Sequence, residues 1–388
     1  MDDFDPWTGI PSPHYREEHH AFRQSLRRFV ETEITPFVND WDEAGSFPRE
    51  LYRKAGDIGL LGIGFPEEYG GSGGDVFFAI IAALELARCG AGGVASGLMS
   101  HCIGAPPIAR AGSEELKSRL LPAILSGERI SALAVTEPGG GSDVSNLQTR
   151  AERVGDHYIL NGEKTFITSG MRADVITVAA RTGGPGLGGI SLLVIEEGMP
   201  GFSRTALDKK MGWWASDTAT LHFDDVRIPA ANLLGRENEG FRLIMENFNS
   251  ERLQLAASMI GFCRLMIAEA VGWARMRETF GRPLITRQAI RHKIVEMIRR
   301  VNATHAWLEQ LAWRVGQGDA PIGELSLLKV QASTTMEYCA REAVQIMGGA
   351  GFLRGHPIER LYREVRVYAI GGGSEEVMRD LAARQFGL

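Results

Sequence analysis

The sequence predicts a mainly α-helical protein with a β domain in its middle. Apolar residues recur at helical spacing in the first third of the chain, and short segments rich in β-branched and aromatic residues replace that pattern in the middle third. The helical spacing returns after Gly235. Because a single hydrophobic core stops growing near roughly 250 to 300 residues, a chain of 388 residues is expected to hold several domains. We place them at 1–131, 132–237 and 238–388.

The composition argues against several functional classes. The formal net charge of −6 provides no long-range attraction to nucleic acid or to an anionic membrane. The amino-terminal segment is acidic and interrupted by prolines, unlike a signal or transit peptide, and no apolar run is expected to reach membrane-spanning length. The four cysteines are far apart and form no CxxC pair, so they are expected to be small core residues. The sequence therefore predicts a cytoplasmic protein without a metal site.

Local patterns predict the individual elements of the first two domains. The spacing of apolar residues over 22–30, and again over 51–61, predicts that the first domain is mostly helical. In the middle domain, Asn161 and Gly162 separate two strand-like runs, and these residue types tolerate the positive φ values of a type I′ turn. A hairpin is therefore predicted there. The pair Trp213-Trp214 is expected to fill a domain interface rather than to wall an apolar cavity.

The last domain consists of long segments with helical spacing. We predict helices near 240–278, 286–316, 321–347, 357–368 and 374–385. Ser374 is the expected N-cap of the last helix, and Glu375 and Glu376 lie in its first turn, where carboxylates complement the helix dipole. The element order lacks the alternation of strand and helix found in nucleotide-binding α/β folds. A GxGxxG pattern at 184–189 precedes a strand rather than a helix, so it is not expected to bind a dinucleotide.

Two segments of the middle domain are candidate binding sites. In AVTEPGGGSD at 134–143, the glycines can turn several backbone N–H groups towards one anion, and Thr136 and Ser142 add hydroxyl groups. The alternative is a flexible linker, which would need neither the Thr-Glu-Pro lead-in nor the closing Ser-Asp. In FITSG at 166–170, the ring of Phe166 can lie against a planar heterocycle. The alternative is that strands simply favour aromatic residues and threonine.

The sharpest candidate is Glu251, which interrupts an apolar helix face. That face consists of Phe241, Ile244, Met245, Phe248, Leu255, Met259, Phe262 and Met266. A carboxylate turned inwards loses hydration, which raises its pKa and suits it to act as a general base near neutral pH. The alternative is a buried ion pair between Glu251 and the adjacent Arg252.

Taken together and in order, six segments make the chain resemble the acyl-CoA dehydrogenase family of flavoproteins. They are LAVTEPGGGSD, NGEKTFITSG, MGWWASDTATLHFDDVRIPAANLLGRENEGF, RETFGRPLITRQAIRHKIVEM, QIMGGAGFLRGHPIERLYREVRVYAI and GGGSEEVMRDLAARQ. The resemblance covers nearly the whole chain. It implies an N-terminal helical domain, a β-barrel-like middle domain and a C-terminal four-helix bundle. It also implies noncovalently bound FAD and a homotetramer built as a dimer of dimers.

The resemblance implies which residues contact FAD. One group would hold the flavin: Leu133, Val135, Thr136, Ser142, Phe166 and Thr168. Phe166 stands where many members of the family have tryptophan. A second group would reach the FAD of a neighbouring subunit: Arg277, Phe280, Gln288, Gln345, Gly348 and Gly349. Gly373, Ser374 and Glu375, in the loop and first turn near the carboxyl end, are added to the cofactor contacts.

The resemblance also implies a catalytic base. Most members carry a glutamate just before a GTSE-like element, a position that we assign to Gly371. A subset similar to isovaleryl-CoA and long-chain acyl-CoA dehydrogenases carries it on the first long helix of the last domain, and NSERLQLA matches that element at Glu251. The backbone N–H of Gly373 is then expected to bind the thioester oxygen. Substrate contacts are implied at Ser142, Asn249, Arg252, Gly371 and Gly372.

The implied activity is FAD-dependent α,β-dehydrogenation of an acyl-CoA thioester to a trans-2-enoyl-CoA, with electron-transferring flavoprotein as the acceptor. We expect a medium-chain, long-chain or 3-methyl-branched substrate, because Gly371 leaves volume near the β-carbon. The closing IGGGSEEVMRDLAARQ is also similar to citronellyl-CoA dehydrogenases. Two alternatives stay open: an acyl-CoA oxidase, and an acyl-CoA-binding protein on this scaffold without dehydrogenase activity, which the missing acid at Gly371 would suit.

Overall fold

The N-terminal part of the protein is helical. The computed structural model describes Pro6 and residues 12–388. The first helices are α1 (Glu17–Phe29), α2 (Val38–Ala44), α3 (Glu50–Asp57), α4 (Val76–Leu86), α5 (Gly92–Leu98), α6 (His101–Gly104), α7 (Pro106–Ala111) and α8 (Glu114–Leu125). Helix α4 is apolar on nearly every side and packs against both α1 and the first helix of the last domain. It therefore joins the N-terminal and C-terminal cores.

The middle domain is one eight-stranded sheet. Its strands are β1 (Ser131–Ala134), β2 (Arg150–Val154), β3 (His157–Thr168), β4 (Val175–Arg181), β5 (Ile190–Glu196), β6 (Phe202–Ala206), β7 (Thr218–Pro229) and β8 (Leu233–Leu234). The order is β6-β7-β3-β2-β4-β5-β8, and β1 pairs in parallel with β4. The strand predicted after the GxGxxG pattern is β5. The segment that follows β1 therefore leaves the sheet beside β4.

The hairpin predicted at Asn161 and Gly162 is wrong. Both residues lie inside β3, where the pairing with β7 shifts register at a bulge and Gly162 has φ 139°. The side chain of Asn161 stabilises the bulge by donating to Asp225 Oδ1 and accepting from the Asp225 N–H, each at 2.9 Å. The actual turn between β2 and β3 contains Gly155 at φ 62°. Asparagine and glycine suit a bulge for the same conformational reason that they suit a turn.

The last domain contains five helices and a small hairpin. They are α9 (Gly240–Met276), β9 (Glu278–Thr279), β10 (Arg282–Pro283), α10 (Gln288–Gly316), α11 (Ile322–Met347), α12 (Pro357–Ile370) and α13 (Glu375–Gln385). The predicted helices are confirmed to within a few residues. Ser374 caps α13, because its hydroxyl oxygen accepts a hydrogen bond from the N–H of Val377 at 3.4 Å.

Helix α9 corrects one expectation from the sequence. Its 37 residues include an 18-residue window with mean hydropathy 1.5, which is long and apolar enough to cross a membrane. Most of that window, 61%, is buried inside the protein. The helix is therefore the core helix of the last domain, and its apolar surface is covered by protein.

Helix α9 also contacts the middle domain. Leu133 and Val135, at the end of β1, belong to the same buried cluster as Leu243 and Ile244 of α9, and Phe248 packs against that cluster. Further along, α9 packs against α4, α10 and α11. The turn of α9 that carries Glu251 therefore lies close to the contact between the last domain and the middle domain.

Candidate active site

Glu251 faces a glycine loop at the carboxyl end of α12. The loop consists of Gly371, Gly372 and Gly373, and Gly372 and Gly373 have φ values of 68° and 104°. A Cβ atom on Gly372 would lie 3.7 Å from Glu251 Oε1 and 2.6 Å from Leu255 Cδ1. Only backbone fits at this position, since the left-handed conformation and the close contact both disfavour a side chain.

Glu251 has the pKa expected of a base near neutral pH. Burial raises the pKa of its carboxyl group to about 7, and the charges of Arg252 and Lys329 oppose that rise. The alternative of a buried Glu251–Arg252 ion pair is not formed, because Glu251 makes no ion pair within 4.0 Å among the described residues. Arg252 instead donates from Nη1 to Asn249 Oδ1 at 3.0 Å, and its buried Nε has no hydrogen-bond partner within the part of the chain that the structure describes.

The glycine loop offers unused hydrogen-bond donors. The N–H of Gly371 donates to the carbonyl oxygen of Val367 at 2.7 Å. Among the described residues, neither Gly372 nor Gly373 donates its N–H to another group. Two adjacent backbone donors beside a half-buried carboxylate are an arrangement that can bind a carbonyl oxygen while the carboxylate removes a proton.

A buried ion pair shapes the segment after β1. Glu137 accepts from the backbone N–H groups of Gln148 and Thr149 at 2.6 and 2.8 Å. The ammonium group of Lys164 contacts Glu137 Oε1 at 2.8 Å and donates to the carbonyl oxygen of Val135 at 3.0 Å. Burial opposes the ionisation of Glu137, but Lys164 and these hydrogen bonds hold its pKa below the ordinary value. The segment at 134–143 is therefore anchored at Glu137, which contradicts the flexible-linker alternative.

The two candidate binding segments form one surface. The N–H of Thr165 donates to the carbonyl oxygen of Thr136 at 2.9 Å, which joins the end of β3 to the segment after β1. Beside this contact, the side chain of Phe166 is 69% exposed and its backbone has φ 59°, a strained value for a bulky residue. Thr168 is half-buried and Ser142 is exposed. An uncovered ring with neighbouring hydroxyl groups fits the face and edge of a planar heterocycle.

The residues predicted to reach the FAD of a neighbouring subunit lie on the surface of the last domain. Arg277, Phe280, Gln288, Gln345, Gly348 and Gly349 are all exposed. Phe280 is 96% exposed at φ 51°, with the guanidinium of Arg287 placed 5.7 Å from its ring centroid. In a single chain the aromatic ring of Phe280 is therefore exposed to solvent.

The tryptophan pair connects the middle domain to α12, as predicted. The ring of Trp213 meets that of Tyr368 edge-on at 5.4 Å, and Trp214 lies under the guanidinium of Arg363 at 3.8 Å. Sequence reasoning missed Glu364, a buried carboxylate on α12 that accepts from the N–H groups of Gly92 at 2.7 Å and of Trp213 at 3.2 Å. It links all three domains just before the glycine loop.

The fold places a raised-pKa carboxylate, a glycine loop and an exposed aromatic surface in a protein made of a helical, a β and a second helical part. Family models match three parts of the chain: the acyl-CoA dehydrogenase N-terminal domain at residues 16–128, its middle domain at 132–226 and its C-terminal domain at 238–387. The chain therefore belongs to the acyl-CoA dehydrogenase family. It is an FAD flavoprotein and an oxidoreductase of the class that acts on CH–CH groups.

Individual proteins agree with the family match. The long-chain specific mitochondrial acyl-CoA dehydrogenase of Rattus norvegicus is 38% identical, over 96% of this chain and 87% of that protein. The crystal structure of an acyl-CoA dehydrogenase from Geobacillus kaustophilus superposes with TM-score 0.93 at 37% identity, covering 97% of this chain and 100% of the other. A glutaryl-CoA dehydrogenase from Mycobacterium smegmatis in complex with FADH2 superposes with TM-score 0.89 at 27% identity, covering 96% and 95%.

Proposed function

We propose that this protein dehydrogenates an acyl-CoA thioester between its α and β carbons, giving a trans-2-enoyl-CoA, with Glu251 as the base. The observation that carries the proposal is the half-buried carboxylate of Glu251, which faces Gly372, forms no ion pair with any residue that the structure describes, and has its pKa raised to about 7. A carboxylate in that state is ionised near neutral pH and yet binds a proton strongly enough to take one from carbon.

The chain's own residues supply the acid–base part of the reaction. Glu251 takes the α-proton, while the undonated N–H of Gly373, with that of Gly372 beside it, binds the thioester oxygen as negative charge develops there. When bound, FAD supplies the acceptor for the β-hydrogen and its electron pair. The buried Nε of Arg252 and the side chains of Asn249 and Ser142 are proposed contacts for the rest of the substrate.

FAD binding is assigned to the surface built around Phe166. Leu133, Val135, Thr136, Ser142, Phe166 and Thr168 would hold the flavin, and the loop residues Gly373, Ser374 and Glu375 would complete the site. The six exposed residues of the last domain would contact the FAD of a neighbouring subunit in a homotetramer. Sedimentation of the holoenzyme tests the assembly, and a monomer that keeps FAD and full turnover would contradict it.

The acyl group is proposed to be medium-chain, long-chain or 3-methyl-branched, as in isovaleryl or citronellyl thioesters. No side chain at Gly372 projects towards Glu251, and the chain is 38% identical to a long-chain specific relative. A panel of straight and 3-methyl-branched acyl-CoAs, compared by kcat/KM, tests this assignment. A preference for short straight chains would contradict it.

Electron-transferring flavoprotein is the proposed electron acceptor, in the cytoplasm. Turnover coupled to that protein should greatly exceed peroxide formation in air. A peroxide yield that matches substrate consumption would identify an acyl-CoA oxidase instead. Cell fractionation followed by immunodetection tests the location, and recovery in the membrane fraction would contradict it.

The decisive experiment concerns Glu251. Glu251→Gln should bind FAD but show no bleaching of the flavin by any acyl-CoA under anaerobic conditions. Glu246→Gln is the matched control, because Glu246 lies on the same helix in an ion pair with Arg242 at 2.7 Å. Near-normal bleaching in Glu251→Gln would refute the assignment of the base. Absence of bleaching in the unmodified protein would favour an acyl-CoA-binding role.

A further inference from the structure

Two lysine side chains are fully buried, and each holds a loop of the site. Lys164 and Lys329 both have 0% exposure. Lys164 donates to the carbonyl oxygen of Val135 and pairs with Glu137 at 2.8 Å. Lys329, on α11, donates to the carbonyl oxygen of Gly373 at 2.7 Å. Unlike Lys164, Lys329 has no carboxylate within 4.0 Å among the described residues.

An ammonium ion buried without a contact ion pair is unfavourable, so its surroundings indicate what balances it. The charged groups that face Lys329 are Glu251 and Arg252 on α9 and Glu375 and Glu376 on α13. Burial lowers the pKa of Lys329 to about 8, and the three carboxylates oppose that shift.

The three carboxylates differ in how well they are already satisfied. Glu375 accepts from the hydroxyl of Ser333 at 2.7 Å and pairs with Arg379 at 3.2 Å. Glu376 is exposed to solvent. Glu251 is half-buried and has no contact partner of its own among the described residues, and the charge of Lys329 lowers its pKa, second to that of the adjacent Arg252.

We propose that Lys329 is the positioning residue of the base site: its ammonium group fixes the glycine loop through the Gly373 carbonyl, and its charge stabilises the ionised form of Glu251. This hydrogen bond fixes the orientation of the peptide group that follows Gly373. It thereby limits the backbone motion of Gly373, a residue that has no side chain to hold it in place. This inference rests on the proposed role of Glu251 and adds a second residue to it.

The proposal predicts a narrow pH window. With pKa values of about 7 for Glu251 and about 8 for Lys329, both groups are ionised over a short range. The profile of kcat/KM, which reports the free enzyme, should rise as Glu251 ionises and fall as Lys329 loses its proton.

The test compares Lys329→Met with Lys329→Arg in the full-length holoenzyme. Lys329→Met should keep FAD, lose about tenfold or more in kcat, and shift the acidic limb upward by about one pH unit, because the positive charge that favours ionised Glu251 is removed. The alkaline limb should disappear. Lys329→Arg keeps the charge, so its acidic limb should stay close to that of the unmodified enzyme. Ser333→Ala removes a neighbouring hydrogen bond to Glu375 but no charge, and should leave both limbs in place.

The possible outcomes separate a positioning role from a structural one. If Lys329→Met turns over more slowly but keeps both limbs in place, Lys329 only supports the fold and the proposal is overturned. If Lys329→Met does not fold, the Arg variant decides: a moved alkaline limb with an unmoved acidic limb supports the proposal, and two unmoved limbs overturn it. Full turnover in Glu251→Gln would instead remove the proposed function on which the inference rests, whatever Lys329 does.

Discussion

A Cβ atom on Gly372 would lie 3.7 Å from Oε1 of Glu251, whereas one on Gly371 would meet only the carbonyl oxygen of Val367, at 3.2 Å. A side chain at position 372 would therefore point at the base, and one at position 371 would not. The resemblance to the family assigns the glutamate position of other members to Gly371. The geometry favours Gly372 as the position that occupies the same space as the carboxylate of Glu251.

This relationship predicts opposite outcomes for two neighbouring alanine substitutions. Gly372→Ala forces a side chain into a left-handed conformation at φ 68° and to within 2.6 Å of Leu255 Cδ1, so it should lower kcat about tenfold and destabilise the protein by about 1 kcal/mol or more. Gly371→Ala, at φ −67°, should stay close to the unmodified enzyme. Steady-state kinetics and thermal unfolding of both variants provide the measurement. Equal losses at the two positions would contradict the assignment.

The raised pKa of Glu251 predicts that this residue destabilises the fold at alkaline pH. A folded-state pKa above the unfolded value means that the stability of the protonated form is fully present below the ordinary pKa of 4.5 and is lost as the pH rises through about 7. The rise corresponds to up to roughly 3 kcal/mol, and we expect about 2 kcal/mol because Glu251 is only half-buried.

Glu251→Gln should therefore be more stable than the unmodified protein at about pH 8, and the gain should vanish below about pH 4.5. Thermal midpoints of the two holoenzymes across this range measure the difference, and Glu246→Gln serves again as the control. A gain that is independent of pH would show that Glu251 is not the titrating group.

The sequence predicts a site residue when that residue clearly interrupts a local pattern of apolar positions. The sequence indicates Glu251 because this residue interrupts a run of apolar residues. Lys329 interrupts a similar run between Leu328 and Val330 in α11, yet a long lysine side chain usually reaches water from such a position. Only the folded chain shows that its ammonium group ends at Gly373.

Other features depend on contacts between segments far apart in the chain. Glu364 and Gly92 are 272 positions apart, so no local pattern indicates their hydrogen bond. The local sequence does not distinguish the bulge at Gly162 from a turn, because both structures need a residue that can adopt a positive φ value. The helices and the order of the three domains were predictable because apolar spacing is a local property of the chain.

The ion pair between Glu137 and Lys164 predicts a specific loss of cofactor. Glu137→Ala would leave the ammonium of Lys164 without its carboxylate and the N–H groups of Gln148 and Thr149 without their acceptor, and removing one partner of a buried pair costs about 3–5 kcal/mol. The segment after β1 should then lose its shape. We expect FAD to dissociate at least about tenfold more readily, measured by flavin fluorescence during dialysis. Glu163→Ala, an exposed neighbour of Lys164 on β3, is the control, and tight FAD binding in Glu137→Ala would disprove the role.

The contacts of Glu364 predict that the glycine loop depends on the junction of the three domains. Burial raises the pKa of Glu364 to about 7, and its carboxylate accepts from the N–H groups of Gly92 and Trp213. Glu364→Ala leaves these donors buried and unpaired, at about 1–3 kcal/mol each. Since Glu364 lies on the helix that leads into Gly371, we expect kcat to fall together with the thermal midpoint, by about 5 °C.

Arg366→Ala is the matched control for Glu364→Ala. Arg366 lies on the same helix and its side chain is 51% exposed in an ion pair with Glu337, and surface ion pairs contribute at most about 1 kcal/mol. Its removal should change neither kcat nor the midpoint appreciably. A Glu364→Ala variant with a lowered midpoint but unchanged kcat would show that the junction stabilises the protein without positioning the glycine loop beside Glu251.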